Sequence, residues 1–281
     1  WFWATAAVPA TEDMQFIYPM REAYPHTKGV VWSYPDHDGS EWSWYKNVRE
    51  HTSLFARQVH RNYFGAYYHK TDYGVVHVAD FRKVPGKKTW TWGVAGDGLI
   101  WTNLLTDNDG PYNEIQAGRY ETQLNYEFIP PRRVEQFTEY WYPVHGLGDG
   151  WVEASEHLAC NVRFLPASGG GRPQVDVALS PTIALAAPKI RLLLGSRVLR
   201  DLPLPAMLPL RTATLRTAVD DLDAARKGLV VEVHNGGRLL ARWSAADPID
   251  GNPDFVPAAG KPAPPPNPRD RMAVEELFLA G

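Results

Sequence analysis

Between Met14 and Leu165 the chain reads as one strand-length run after another, with almost no helical periodicity between them. The runs are "MQFIY", "GVVWSY", "SLFARQV", "YFGAYYHK", "YGVVHVADF", "KKTWTWGV", "GLIWTNLL", "YNEIQAG", "RRVEQFTEYWYPV" and "WVEASEHLACNVRFL". They are rich in β-branched and aromatic residues and are separated by turn formers. Such a chain is confined to the all-β class, because its apolar groups follow strand spacing rather than the 3.6-residue period of a helix.

Aromatic residues then divide the chain. All 13 tyrosines and ten of the 11 tryptophans precede residue 152, and only Trp243 lies beyond it. Two composition regimes predict two domains: a large β domain over residues 1–166 and a small β-sandwich over 174–250, joined by a glycine-rich linker over 167–173. The strands expected in the second are "QVDVALS", "KIRLLLGSRVL", "TATLRTAV" and "LVVEVHNGGRLLARW", the last folding back at Asn235-Gly236-Gly237. Residues 251–270 are proline-rich and read as an extended spacer, and residues 271–281 begin a helical pattern that stops before an amphipathic helix is complete. The first residues, "WFWATAAV", look like a strand already under way, so both ends read as cuts within a longer protein.

A formal charge of -3 on 281 residues, with acids and bases intermixed, gives no electrostatic footprint for nucleic acid or an anionic membrane, and neither is expected as a partner. The start lacks the features of a signal peptide, and no apolar run has the length of a membrane span. The lone Cys160 excludes an internal disulfide framework and fits a cytoplasmic location. There is no phosphate-cradling glycine loop, nucleophile elbow or CxxC, and no cofactor is expected. His77 and Asp80 fall on opposite faces of a strand, and "TDNDGPY" lacks the ligand spacing of a calcium loop, so no metal is expected either.

The chemistry-bearing residues cluster elsewhere. In an extended "YNEIQAG", Tyr112, Glu114 and Gln116 share one face while Asn113, Ile115 and Ala117 share the other. A bulge or bend at Gly118 would bring Arg119 and Gln123 to the polar face. A carboxylate among carboxamides and a guanidinium suits a polyhydroxylated ligand, whose hydroxyls both donate and accept. The alternative is a solvated Glu114–Arg119 pair of little energetic weight. In "KKTWTWG", Lys88, Trp90 and Trp92 fall on one strand face, either exposed as a platform for the C–H face of a pyranose or buried between sheets. Trp141 adds to the aromatic supply, and His69 and His77 are the acid–base candidates beside Glu114.

The segments "WATAAVPATEDMQFIYPM", "GVVHVADFRKVPGKKTWTWG", "DGPYNEIQAGRYETQ" and "EYWYPVHGLG" together resemble the bacterial family catalogued as domain of unknown function 5107. That family is similar to galactose mutarotases and their large β-supersandwich, and its members typically carry tetratricopeptide repeats after the domain. The resemblance covers roughly Trp1 to Leu165. It implies a mutarotase-like supersandwich lacking its N-terminal part, followed by the small sandwich and by the helix that opens a repeat array. It also implies Glu114 as general base with Gln116 beside it, as in the mutarotase segment that "NEIQAGRYETQ" resembles. Mutarotases usually place a catalytic histidine in the strand that "WFWATAAV" would occupy, and this strand has none. The partner acid is therefore sought in His69, His77 or the absent part.

The function expected is carbohydrate binding, with epimerase-like or glycoside-cleaving activity centred on Glu114 and a saccharide held by Lys88, Trp90, Trp92, Tyr112, Gln116, Arg119, Gln123 and Trp141. The alternative is a non-catalytic carbohydrate-recognition or protein-interaction module on a tetratricopeptide scaffold, meeting protein partners through the repeats that would follow.

Overall fold

The computed structural model of the chain describes residues 3–26, 30–125, 127 and 129–247. The proline-rich segment and the start of a helix expected over 251–281 lie outside the described residues. The fold is all-β, as the sequence predicts. Four antiparallel sheets lie in layers, with an apolar core between each successive pair.

With strands numbered in chain order, the first sheet runs β1 (Trp3–Pro9), β11 (Tyr112–Gly118), β10 (Gly86–Thr91), β7 (Thr52–Ala56), β3 (Glu22–Pro25), β4 (Trp32–Ser33). The second runs β12 (Glu139–His145), β9 (Tyr73–Ala79), β8 (Tyr63–Tyr68), β2 (Met14–Ile17). The third runs β13 (Glu153–Ala154), β14 (Leu158–Leu165), β15 (Gln174–Pro181), β18 (Ala213–Ala218), and the fourth β17 (Arg197–Pro203), β16 (Pro188–Leu194), β19 (Leu229–Asn235), β20 (Arg238–Ser244). A small hairpin pairs β5 (Asp36–His37) with β6 (Ser40–Glu41).

Phe16, Leu54, Phe64, Ile115 and Ala117 fill the layer between the first and second sheets. Tyr63, Tyr67, Val76 and Val144 on the far face of the second sheet meet Trp151, Ala154, Ala159 and Ala178 on the third. Val162, Val177, Ile190, Leu192, Val231 and Val233 fill the last layer. The second and third sheets are thus covered on both faces, which is why "YFGAY" and "LACNV" are buried at every residue instead of alternately. Gly65 permits one of these contacts: a Cβ there would fall on the Val75 carbonyl oxygen and within 2.8 Å of the Trp151 indole.

Several segments depart from expectation. "GLIWTNLL" forms a helix, α1 (Gly98–Leu105), instead of a strand. Gly98 packs so closely on the Trp92 carbonyl that any side chain would collide with it, and leucine-rich sequence is as good for a helix as for a strand. The glycine-rich stretch after Ala167 joins β14 to β15, which pair along their whole length, so it is a turn within the third sheet and not a boundary between domains. β14 accordingly contributes Leu158, Cys160 and Val162 to the last core, and the expected division at 166 falls inside a sheet. "KIRLLLGSRVL" is a hairpin turning at Gly195, whose φ is 60°. Within "RRVEQFTEYWYPV" only Glu139–His145 is strand, and "WVEASEHLACNVRFL" holds two strands, β13 and β14. The hairpin at Asn235-Gly236-Gly237 forms as expected, with φ of 55° and 86° at its two glycines. A second short helix, α2 (Leu222–Gly228), was not foreseen; the Asp221 carboxylate caps it by accepting from the Asp223 and Ala224 amides at 2.9 and 3.0 Å. No described helix is long and apolar enough to cross a membrane.

Candidate functional site

β11 lies between β1 and β10, and its alternation sends Ile115 and Ala117 into the first core. Glu114 and Gln116 therefore face outward from the first sheet. Register places Ala7 and Trp90 on either side of Glu114, and Thr5 and Lys88 on either side of Gln116. Phe55 and Ser53 of β7 follow beside Lys88 and Trp90.

A directed hydrogen-bond chain links these side chains. Lys88 Nζ donates to Gln123 Oε1 at 3.0 Å, Gln123 Nε2 donates to Gln116 Oε1 at 3.1 Å, and Gln116 Nε2 donates to the Glu114 carboxylate. The loop after β11 crosses the sheet to make this possible: its Glu121 carboxylate accepts from the Gln58 amide at 2.6 Å, beyond the end of β7. Under that loop Lys88 is only 4% exposed and packs 5.3 Å from the Phe55 ring. Burial lowers its ammonium to about 8, and the Glu114 carboxylate opposes the shift.

The aromatic side of the site is continuous. Trp90 meets Trp92 edge to face at 4.0 Å, and Trp92 stacks on Trp101 of α1 at 5.1 Å. Trp90 and Trp92 are half-buried on the outward side, and neither belongs to a core. Tyr112, also half-buried, lies at the start of β11 on the same face.

Two further residues join the face. Trp3 lies on Gly118 and Gly86, which are register partners, and a Cβ on Gly86 would meet its ring at 2.8 Å. Its indole meets Phe55 edge to face at 5.7 Å. His26 packs on Phe55 with Nδ1 3.4 Å from Ser53 Oγ, and burial, then the Lys88 charge, lowers its pKa. The side-chain-free pair Gly86 and Gly118 was the available signal for Trp3; nothing in the sequence pointed to His26. No bulge forms at Gly118, where the ladders to β1 and β10 stay in register.

Other expected members are elsewhere. Arg119 turns from Glu114 to Glu135 at 3.2 Å and Glu127 at 3.5 Å, where Arg133 also pairs with both. A charge whose partners lie in the following loop is held by them, so Arg119 leaves the site. His77 is buried in the second sheet, in contact with Phe64 and Trp141 and 3.6 Å from the Glu139 carboxylate. The first sheet separates it from Glu114, and burial lowers its pKa. Trp141 goes with it, donating from Nε1 to Glu139 at 3.3 Å. His69, just past β8, contacts Gln15 Oε1 at 2.9 Å and the Trp44 ring, and burial lowers its pKa too. None of these three reaches Glu114. Among the described residues no cluster of three or more His, Cys, Asp or Glu has the arrangement of a metal site.

Two cavities lie away from this face. One of about 430 Å³ sits between the second sheet and the end of β20, lined by Tyr18, Arg61, Trp151 and Trp243. The other, of about 240 Å³, lies among Arg82, Arg119, Arg133 and Glu135. The outward face of the first sheet is a surface at Glu114, Trp90 and Trp92, while Lys88 and Gln116 are covered by the loop after β11.

Among solved structures, the chain is similar to that of a TPR-domain containing protein from Parabacteroides distasonis ATCC 8503, at 30% identity and a TM-score of 0.43. The match covers 50% of this chain and 24% of that one, so the chain spans about a quarter of that protein's length. A sequence model described as "Domain of unknown function (DUF5107)" matches residues 1–144, from before β1 into β12. Half of the chain, including every residue of the outward face from Trp3 to Gln123, falls inside that match, and the chain belongs to the DUF5107 family.

Proposed function

We propose that the outward face of the first sheet binds a saccharide, with Glu114 as a general base in an epimerase-like or glycoside-cleaving reaction. The observation that carries this reading is the ordered chain from Lys88 through Gln123 and Gln116 to Glu114, beside Trp90. The chain holds the half-buried Glu114 carboxylate in a fixed orientation where it can accept from a ligand hydroxyl, and the half-buried Trp90 indole beside it supplies apolar surface for a ring's C–H bonds. The mutarotase resemblance of "NEIQAGRYETQ" supports the same assignment, and His26, which packs on Phe55 beside Ser53 on this face, is our candidate for the acid. The lone, buried Cys160 supports a cytoplasmic location.

A second reading makes the face a protein-contacting module. It is favoured by α1, whose Leu99, Ile100, Leu104 and Leu105 are half or more exposed, an unusual apolar load for a surface helix. Calorimetric titration of wild-type protein and Glu114→Gln against mono- and oligosaccharides, with product analysis, separates the readings. Catalysis requires binding in both proteins and turnover in the wild type alone. Binding without turnover in either leaves a recognition module. Absence of binding to every sugar overturns the saccharide reading.

A further inference from the structure

We infer that the cavity of about 430 Å³ between the second sheet and the end of β20 is a binding site for an organic cation, an ammonium group on an apolar body, with Glu41 as its anionic anchor. This does not depend on the saccharide reading above. The volume is in the range that holds a small organic ligand, and the walls are mainly rings: Phe16, Tyr18, Tyr34, Tyr63, Trp151 and Trp243 all line it. The tyrosine protons are already spent. Tyr18 donates to the Lys88 carbonyl at 2.7 Å, Tyr34 to the Phe16 carbonyl at 3.3 Å, and Tyr63 to the Val152 carbonyl, so these residues give the cavity ring surface and no free donor.

The polar groups of the lining are matched in the same way, with one exception. Arg61 pairs with Glu153 at 3.5 Å, and Asp247 pairs with Arg242 at 3.5 Å. Gln15 Oε1 contacts His69 Nε2 at 2.9 Å, Gln15 Nε2 donates to Ser43 Oγ at 3.2 Å, and Ser43 Oγ donates to Glu41 Oε1 at 2.8 Å. Glu41 is therefore the acceptor end of a relay of neutral groups. Among the described residues no cation pairs with its carboxylate, and Oε2 has no hydrogen-bond partner. Its charge is felt at the cavity wall, where it adds to burial in raising the pKa of the Tyr34 hydroxyl. A half-buried carboxylate without a counter-ion, set among rings, is complementary to a cation with an apolar body: the ammonium supplies the missing charge, and aromatic walls favour a cation through their quadrupoles. An anion would meet Glu41 while Arg61 is already held by Glu153, and a neutral ligand would leave the carboxylate uncompensated.

The test is a series with one body and three charges: 2-phenylethylamine, 2-phenylethanol and 3-phenylpropanoate, titrated calorimetrically at neutral pH against wild-type protein, Glu41→Gln, Trp243→Phe and Glu114→Gln. The wild type should bind the amine about tenfold or more tightly than the alcohol, and the carboxylate most weakly. Glu41→Gln keeps the shape of the side chain and an acceptor for Ser43, and should bring the amine down to the alcohol's affinity while leaving the alcohol's Kd unchanged. Trp243→Phe should weaken amine and alcohol alike. Glu114→Gln, which removes the carboxylate beside the indoles of the outward face, should keep the preference for the amine. An amine bound no better than the alcohol, or a preference that survives in Glu41→Gln, overturns the assignment. Loss of the preference in Glu114→Gln places the cation on the first sheet instead and also overturns it, as does a Trp243→Phe variant that binds both ligands as the wild type does. Failure of all three compounds to bind overturns the cavity as a site and leaves the saccharide reading standing.

Discussion

Lys87 on β10 points the opposite way from Lys88, into the layer between the first two sheets, where it is 1% exposed and its Nζ has no hydrogen-bond partner among the described residues. Burial lowers the ammonium from its ordinary 10.5 to about 7, and its charge also lowers the pKa of His77. The unfolded chain holds this proton up to 10.5 while the folded chain releases it near 7, so stability rises with pH across that window. At about 1.36 kcal/mol per pH unit, the proton costs the fold roughly 4 kcal/mol at pH 7 and roughly 2 at pH 9. Lys87→Met keeps the unbranched shape without the amine, and should stabilise the protein by a few kcal/mol at pH 7. The gain should shrink by about 2 kcal/mol at pH 9. Urea unfolding of both proteins at the two pH values, followed by tryptophan fluorescence, measures the difference. Lys88 titrates in the same direction in both proteins and cancels. Remaining at or below pH 9 avoids the buried tyrosines Tyr18, Tyr34 and Tyr63, whose raised pKa values make them destabilising only above pH 10. A Lys87→Met advantage that is the same at both pH values would refute the reasoning, because it would mean that the ammonium reaches water and keeps its proton.

Two other perturbations probe the layers beyond. Gly65→Ala drives a methyl group into the Val75 carbonyl oxygen and the Trp151 indole, and should cost roughly 2–3 kcal/mol in the same unfolding assay; a loss below 0.5 would mean that the third sheet moves freely against the second. Glu153, 3.5 Å from Arg61, has its carboxyl raised by burial to about 7 from an ordinary 4.5. Its contribution is complete below pH 4.5 and is lost as pH rises to 7. The stability of Glu153→Gln relative to wild type should therefore improve between pH 5 and pH 7, and a ratio constant over that range would show that Glu153 ionises normally.

Much of the face was legible before any fold was known. Strand parity alone put Glu114 and Gln116 together, and Lys88 with Trp90, because a two-residue repeat leaves no freedom once the strand is recognised. Parity cannot say which side of a sheet is covered when neighbouring layers are unknown, and so His77 and Trp141 were placed with Glu114 although they line the opposite side of the first sheet. Arg119 was misplaced because it lies just past Gly118, where loop geometry takes over from the pleat. "GLIWTNLL" was ambiguous for a different reason: a short apolar run has no period that distinguishes strand from helix. The stretch "ASGGGRPQ" was ambiguous by composition, since a tight turn and a linker use the same residues.

The second sheet has apolar side chains on both faces, and this separates two kinds of boundary that are often assumed to coincide. The family match ends at residue 144, within β12, yet Tyr63, Tyr67, Val76, Val78 and Val144 share one core with Leu147, Trp151, Ala154, Ala159 and Ala178, all beyond that point. The inherited segment is therefore narrower than the segment that can leave water as a unit. A protein that carries the family's segment next to some other neighbour must find a different lid for that wall of the second sheet, and this requirement limits which neighbours it can have.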